Sequence, residues 1–298
     1  MDNSEPFFEG VFCPSITITD STGAIDYDLW GRHIDHLIDS GINGILLFGS
    51  IGEFYAFPRE IKQQAISFAV RRAAGRIPIL AGIGGTDMDE VLAFARSAEN
   101  SGAGALVVVS PYYFGPSAET ARRYYGIIAE NTALPIILYN FPARTGNDLT
   151  PTLVAQLAAD HANIVGIKDT VDTISHTRKV IAAARTVNPR FAVLSGFDEY
   201  YMVNRVSGGN GVLCGLTNVK PEIFVTMHRS YQSGEFTQAL QAAKRISHLM
   251  AIYDCADLFI SAIKGAVRAK GLAIDTDVRE PARQLSATEL STITALLR

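Results

Sequence analysis

The sequence predicts an α/β fold, a (β/α)₈ TIM barrel with a C-terminal helical extension, on three observations. Short apolar runs rich in β-branched residues alternate with longer stretches of helical spacing, and the alternation repeats eight times. Strand starts recur roughly every 30 residues, the size of one strand-helix-strand unit. The runs are apolar at successive positions, as expected of parallel strands covered on both faces. Eight units without a break favour a closed barrel over an open, doubly wound sheet.

The elements follow in order. Val11 to Ile18 reads as the first strand, and Leu29, Ile34, Leu37 and Ile38 mark a helix over 26–40. Gly44 to Phe48 is the second strand, with a helix from Pro58 to Ala74. Pro58 suits a first helical turn, where its missing N–H would be unpaired in any case. Strands over 77–82 and 105–109 precede helices over 87–101 and 117–131. Strand five spans 135–139, with a helix opening at Thr150-Pro151, and strand six spans 164–168, with a helix over 173–184. Strand seven spans 191–194, with a short helix from Glu199, and strand eight spans 211–214, with a helix over 221–231. Three further helical patterns cover 235–252, 257–270 and 287–297, so residues 1–234 read as the barrel and 235–298 as the helical extension.

Composition narrows the function. The chain has 298 residues, 48% hydrophobic and 19% charged, with a net charge of -4. Such a balance offers no electrostatic footprint for nucleic acid and no basic block for a membrane surface. The apolar runs are too short to span a bilayer, and the N-terminus lacks the charged start and apolar stretch of a signal peptide. Cys13, Cys214 and Cys255 read as buried small hydrophobes in a reducing compartment, and the cytoplasm is the expected location. His33 and His36 share a helix without a further ligand pair and read as a solvated face, so no metal is expected. Gly82-Ile83-Gly84-Gly85-Thr86-Asp87 lacks the last glycine of a dinucleotide fingerprint, and no phosphate loop is present. No cofactor is expected.

Active sites of barrels lie at the C-terminal ends of the strands. Strand six ends in Ile164-Val165-Gly166-Ile167-Lys168, which puts an amine at the end of a buried run. An ammonium left unpaired there is costly, so Lys168 is the candidate nucleophile; a lysine paired with Asp169 is the plainer reading. Strand five ends in Tyr139, followed by Arg144: a phenol can shuttle protons, and a guanidinium can hold a carboxylate through two parallel hydrogen bonds. Strand two ends in Phe48-Gly49-Ser50-Ile51-Gly52-Glu53, where small residues let backbone N–H groups approach a ligand and Ser50 adds a hydroxyl. Strand four ends in Ser110-Pro111-Tyr112-Tyr113, two more phenols at the same rim.

Taken together and in this order, Gly-Ser-x-Gly-Glu, Pro-Tyr-Tyr, Tyr-Asn-x-Pro and Gly-Ile-Lys-Asp resemble the dihydrodipicolinate synthase and N-acetylneuraminate lyase family over nearly the whole chain. The resemblance implies that Lys168 forms a Schiff base with pyruvate or a related keto acid. It implies that Tyr139 moves protons, with Ser50 in the relay and Tyr113 supplied by a neighbouring subunit across a tight dimer. The Ser50-Ile51 backbone would bind the keto-acid carboxylate, with Gly196 and Val212 completing the binding set. The synthases of the family carry two threonines where this chain has Ser50-Ile51, so the phrases around Ser50, Tyr139 and Lys168 look closer to the 2-keto-3-deoxy sugar-acid aldolases. Arg144 stands where the synthases bind the carboxylate of aspartate semialdehyde. The expected activity is therefore a lyase acting on a 2-keto-3-deoxy sugar acid. Condensation of pyruvate with aspartate semialdehyde is the alternative, and a non-catalytic keto-acid-binding barrel is a third reading. A homo-oligomer, dimer or tetramer, is expected.

Overall fold

A computed structural model describes residues 8–274, 278–279 and 281–298; residues 1–7, which carry most of the reading of the N-terminus, lie outside the described residues. Eight strands, β1 (Gly10–Pro14), β2 (Gly44–Leu47), β3 (Ile79–Ile83), β4 (Ala105–Val109), β5 (Ile136–Asn140), β6 (Ile164–Asp169), β7 (Ala192–Ser195) and β8 (Gly211–Leu213), form a closed barrel in sequence order. Every pairing is parallel, and β8 closes onto β1 through Gly10↔Gly211. All residues of all eight strands are buried, which is why the runs carry no polar alternation.

Alternate residues split between two layers. Phe12, Leu46, Leu80, Val107, Ile137 and Leu213 fill the lumen, with Tyr139 in the same cluster. Their neighbours Val11, Ile45, Val108, Leu138 and Val212 face outward to the helices.

Among the described residues twelve helices surround or follow the barrel: α1 (Tyr27–Asp39), α2 (Arg59–Ala73), α3 (Met88–Asn100), α4 (Ala118–Glu130), α5 (Pro142–Thr145), α6 (Pro151–Asp160), α7 (Ile174–Arg185), α8 (Tyr201–Val206), α9 (Pro221–Gln232), α10 (Phe236–Leu249), α11 (Phe259–Ala269) and α12 (Ala287–Leu296). Side-chain caps fix several starts. Asp26 accepts from Leu29 N, Asp87 from Asp89 N and Glu90 N, and Thr150 from Leu153 N, while Ser286 and Glu289 form a reciprocal capping box. Among the described residues no single helix is long and apolar enough to cross a membrane.

Three local expectations are corrected. The first strand stops at Pro14, not Ile18, because Ile16 N turns out of the ladder to Asn218 Oδ1, 2.9 Å away. His33 is not on a solvated face. It continues the stripe of Trp30, Ile34 and Leu37 at helical spacing, is 1% exposed, and meets Asn218 Oδ1 at 3.0 Å. Burial holds its imidazole down to about 4, so it is neutral. Cys255 is half-buried, whereas Cys13 and Cys214 are fully enclosed as expected.

Candidate active site

The C-terminal ends of the strands surround a cavity of about 500 Å³. Lys168, Tyr139, Ser50, Ile51, Arg144 and Gly196 all line it. Lys168 leaves β6 toward the lumen, is 5% exposed, and carries Nζ 4.2 Å from the centre of the Tyr139 ring. The pairing of β5 with β6 sets the two side by side, since Tyr139 is the cross-strand partner of Lys168. Tyr139 in turn reaches Ser50 Oγ at 3.2 Å. Amine, phenol and hydroxyl thus follow one another across the mouth of the barrel.

Lys168 has no carboxylate partner among the described residues, and the plainer reading of a Lys168–Asp169 pair does not hold. Successive strand residues point to opposite faces, so Asp169 turns outward, where Asn140, His176 and Thr177 take both its oxygens.

The loop after β2 is bent by two residues in the left-handed region, Phe48 and Glu53, each with φ 55. A Cβ on Gly82 would collide with the Phe48 carbonyl, so only glycine there lets this bend lie against β3. The far end of the loop is anchored by Glu53, 1% exposed, whose Oε1 lies 2.6 Å from Lys264 Nζ of α11. Its Oε2 accepts from Arg279 N at 3.0 Å. A buried carboxylate needs such partners, and here they tie the Ser50-Ile51 loop to the C-terminal segment.

Arg144 occupies the single turn of α5, too short for the sequence pattern to register, and lies between the Phe141 and Phe259 rings at 5.9 and 5.7 Å. It borders both the main cavity and a second, largely apolar chamber of about 270 Å³ that includes Phe54, Tyr55 and Tyr112. No carboxylate pairs with it among the described residues, which leaves its fork available to a ligand.

Two residues read as site members stand elsewhere. Val212 is fully buried in the middle of β8 with its side chain in the outer layer, and Cys214 and Gly215, just past the end of that strand, line the cavity instead. Tyr113 is 85% exposed beside Phe114, 89% exposed, and does not reach the cavity of its own chain. Its phenol is carried into solvent by a loop in which its own φ is 80.

The cavity also has residues that the motifs did not single out. Asp198 and Glu199 follow β7, a position the strand-end rule covers but no reactive pattern marked. Asp198 is buried and accepts from Tyr253 Oη at 2.8 Å and Leu216 N at 2.7 Å. Burial pushes its carboxyl up, against the opposing pull of the Tyr253 hydroxyl. Met250, Tyr253 and Phe259 reach the cavity from the segment after α10, outside any strand end. Among the described residues no group of three His, Cys, Asp or Glu could hold a metal.

Comparison with known proteins gives the same family. The dihydrodipicolinate synthetase family model matches residues 7–298. YagE of Escherichia coli K12, provisionally named a 2-dehydro-3-deoxy-D-gluconate aldolase, is 33% identical, covering 98% of this chain and 96% of its own. YjhH of the same strain, provisionally named a 2-dehydro-3-deoxy-D-pentonate aldolase, is 33% identical over 97% of this chain and 96% of its own. A 4-hydroxy-tetrahydrodipicolinate synthase of Methanosphaerula palustris is also 33% identical, over 97% and 98%. The crystal structure of YagE in complex with pyruvate superposes with a TM-score of 0.95 over 98% of both chains. The chain belongs to the dihydrodipicolinate synthetase family and is an aldolase of it.

Proposed function

We propose that the enzyme cleaves, or forms, a 2-keto-3-deoxy sugar acid through a Schiff base between Lys168 and the keto group, with pyruvate as the three-carbon product or substrate. The observation that carries this reading is the row formed by Lys168, the Tyr139 ring 4.2 Å from its Nζ, and Ser50 3.2 Å from the Tyr139 hydroxyl. The Lys168 amine adds to the C2 carbonyl, and the carbinolamine loses water to give the protonated imine. In the cleavage direction the C4 hydroxyl gives its proton to the Tyr139–Ser50 relay as the C3–C4 bond breaks, and the bonding electrons flow into the imine. The aldehyde leaves, the enamine takes a proton at C3, and water releases pyruvate and the free amine.

The rest of the cavity suits a polyhydroxy chain. The amides of Ser50 and Ile51 would bind the C1 carboxylate, Gly196 would leave room beside it, and Glu199 would accept from distal hydroxyls. Ile51 presents no hydroxyl to the pocket, which favours the sugar acid over the semialdehyde reaction. Two relatives named for 2-dehydro-3-deoxy sugar-acid aldolases and one structure with bound pyruvate support the same choice. Arg144, without a carboxylate partner among the described residues, favours the second reading, condensation of pyruvate with aspartate semialdehyde.

The exposed Tyr113–Phe114 pair supports a homo-oligomer in which Tyr113 enters a neighbouring subunit's site. We take residues 235–298 as a helical extension that also walls the cavity, and three free thiols fit a cytoplasmic location. The discriminating experiment compares kcat/KM for cleavage of 2-keto-3-deoxygluconate with that for condensation of pyruvate and aspartate semialdehyde. The sugar acid is expected to be preferred. A preference for the semialdehyde by more than about tenfold would make Arg144 the better guide and overturn the assignment.

A further inference from the structure

Behind the row of Tyr139 and Lys168, on the outer face of the same two strands, polar groups close into a ring. Asn140 and Asp169 are cross-strand partners one step beyond Tyr139 and Lys168. Asn140, 0% exposed, donates from Nδ2 to Asp169 Oδ1 at 3.0 Å and to Asp148 Oδ1 at 3.0 Å. His176 of α7 completes the circuit, with Nδ1 3.0 Å from Asp169 Oδ2 and Nε2 3.1 Å from Asp148 Oδ1. Two further bonds brace it: Thr177 Oγ1 donates to Asp169 Oδ2 at 2.7 Å, and Leu149 N donates to Asn140 Oδ1 at 3.0 Å.

The ring joins three pieces of chain. Asn140 and Asp169 are the last residues of β5 and β6, the strands that aim Tyr139 and Lys168. Asp148 belongs to the excursion 141–149, which carries Arg144 and returns to the strand end through Leu149 N. His176 belongs to α7, packed outside the barrel. Nδ1 is hydrogen-bonded to Asp169 and Nε2 lies within ion-pair distance of Asp148, so the imidazolium cation is the form that both carboxylates favour. Burial opposes that charge, but Asp148 and Asp169 outweigh it and push the imidazole up to about 10. Without the cation, two carboxylates would converge with only the Asn140 amide between them and the Thr177 hydroxyl on Asp169.

We propose that Asn140, Asp148, His176 and Asp169 are positioning residues: their ring fixes the Lys168-bearing strand end and the Arg144-bearing excursion in one frame, so that the reacting carbon and the far end of the substrate are set at a constant separation. The proposal rests on the reading of Lys168 as the imine-forming residue, and it takes Arg144, which borders both chambers, as an anchor for the far end of the substrate. Neither His176 nor the two aspartates touches the cavity, so their effect on the reaction is through placement. Misplacement of a reacting group by about 1 Å can cost on the order of 10²-fold in rate.

The two arms of the ring separate the roles. Asp148→Ala cuts the excursion side and leaves the Asn140–Asp169 contact between the strands. Its KM for the keto acid is expected to rise about tenfold, with a fall of less than about threefold in the rate at which borohydride traps pyruvate on Lys168. Asp169→Asn keeps the shape but removes the charge on the strand side, and is expected to slow trapping about ten- to a hundredfold. Asp148→Asn, which keeps an oxygen for Asn140 and a polar group for His176, is expected to restore most of the KM lost in Asp148→Ala. Thermal melts on the same samples identify any variant that fails to fold, and Asp148→Asn retains the test in that event. The proposal is overturned if folded Asp148→Ala and Asp169→Asn both stay within about twofold of wild type, or if both change KM and trapping in parallel. Failure of the parent reading has a different signature: no pyruvate adduct on Lys168 in the wild-type protein.

Discussion

The two sides of the cavity mouth are built differently. On the β5–β6 side every functional group has a second contact that fixes it: Lys168 lies against Tyr139, Tyr139 reaches Ser50, and Asn140 and Asp169 interlock behind them. On the β4 side Tyr113 and Phe114 pack edge to face on each other, ring centres 4.8 Å apart, and stand 85% and 89% exposed. One side is held by contacts within the chain. The other has large aromatic surface in water, which is costly unless something covers it. The difference teaches that the groups facing the cavity are fixed by contacts within the chain, whereas the aromatic pair on the β4 side keeps most of its surface in water.

The contrast can be broken in order of expected effect. Lys168→Ala removes the nucleophile itself and is expected to lower turnover by at least about 10⁴-fold, with the circular dichroism of the folded protein retained. Tyr139→Phe keeps the ring under Lys168 but deletes the hydroxyl, and a loss on the order of 10²–10⁴ in kcat is expected. A loss below about tenfold would reduce Tyr139 to packing. The open side calls for a mixing experiment. If Tyr113 acts in trans, Lys168→Ala and Tyr113→Phe subunits refolded together regain roughly a quarter of wild-type activity, the share that random pairing gives to sites with both groups intact. No recovery in mixed oligomers would confine Tyr113 to its own subunit or to no role.

The smallest effect concerns pH. His176 titrates near 10 in the fold against an ordinary value of 6.5, so its pairing with Asp148 and Asp169 stabilises fully below pH 6.5 and is lost as pH rises through 10. Between pH 7 and pH 10 the melting temperature of the wild type should fall more than that of His176→Gln. Parallel curves would mean that the ring is held by shape and not by charge.

Much of this was legible in the sequence because barrels repeat a simple rule. Strands buried on both faces show as unbroken apolar runs, and the residue after each run lies at the functional end, which is how Lys168, Tyr139 and Ser50 come to one cavity. Depth along a strand is harder to read. Val212, placed in the binding set by the resemblance, sits in the middle of β8 and faces the helices, while Cys214 and Gly215, just past the strand end, line the cavity. His33 was misread because a polar residue on an apolar stripe looks like a solvated position until Asn218, 185 residues away, supplies its partner. Tyr253 and Phe259 could not be found at all from strand ends, since they arrive from helical sequence with no reactive pattern. The Glu53–Lys264 pair is likewise a contact between segments whose spacing carries no signal.

The most direct test of the account is the identity of the trapped residue. Incubation with pyruvate and borohydride, followed by peptide mass mapping, is predicted to place a reduced three-carbon adduct on Lys168 and on no other lysine, and to place none in Lys168→Ala. An adduct on a different lysine, or full turnover with no adduct on any, would contradict the Schiff-base assignment and with it the roles given to Tyr139 and Ser50.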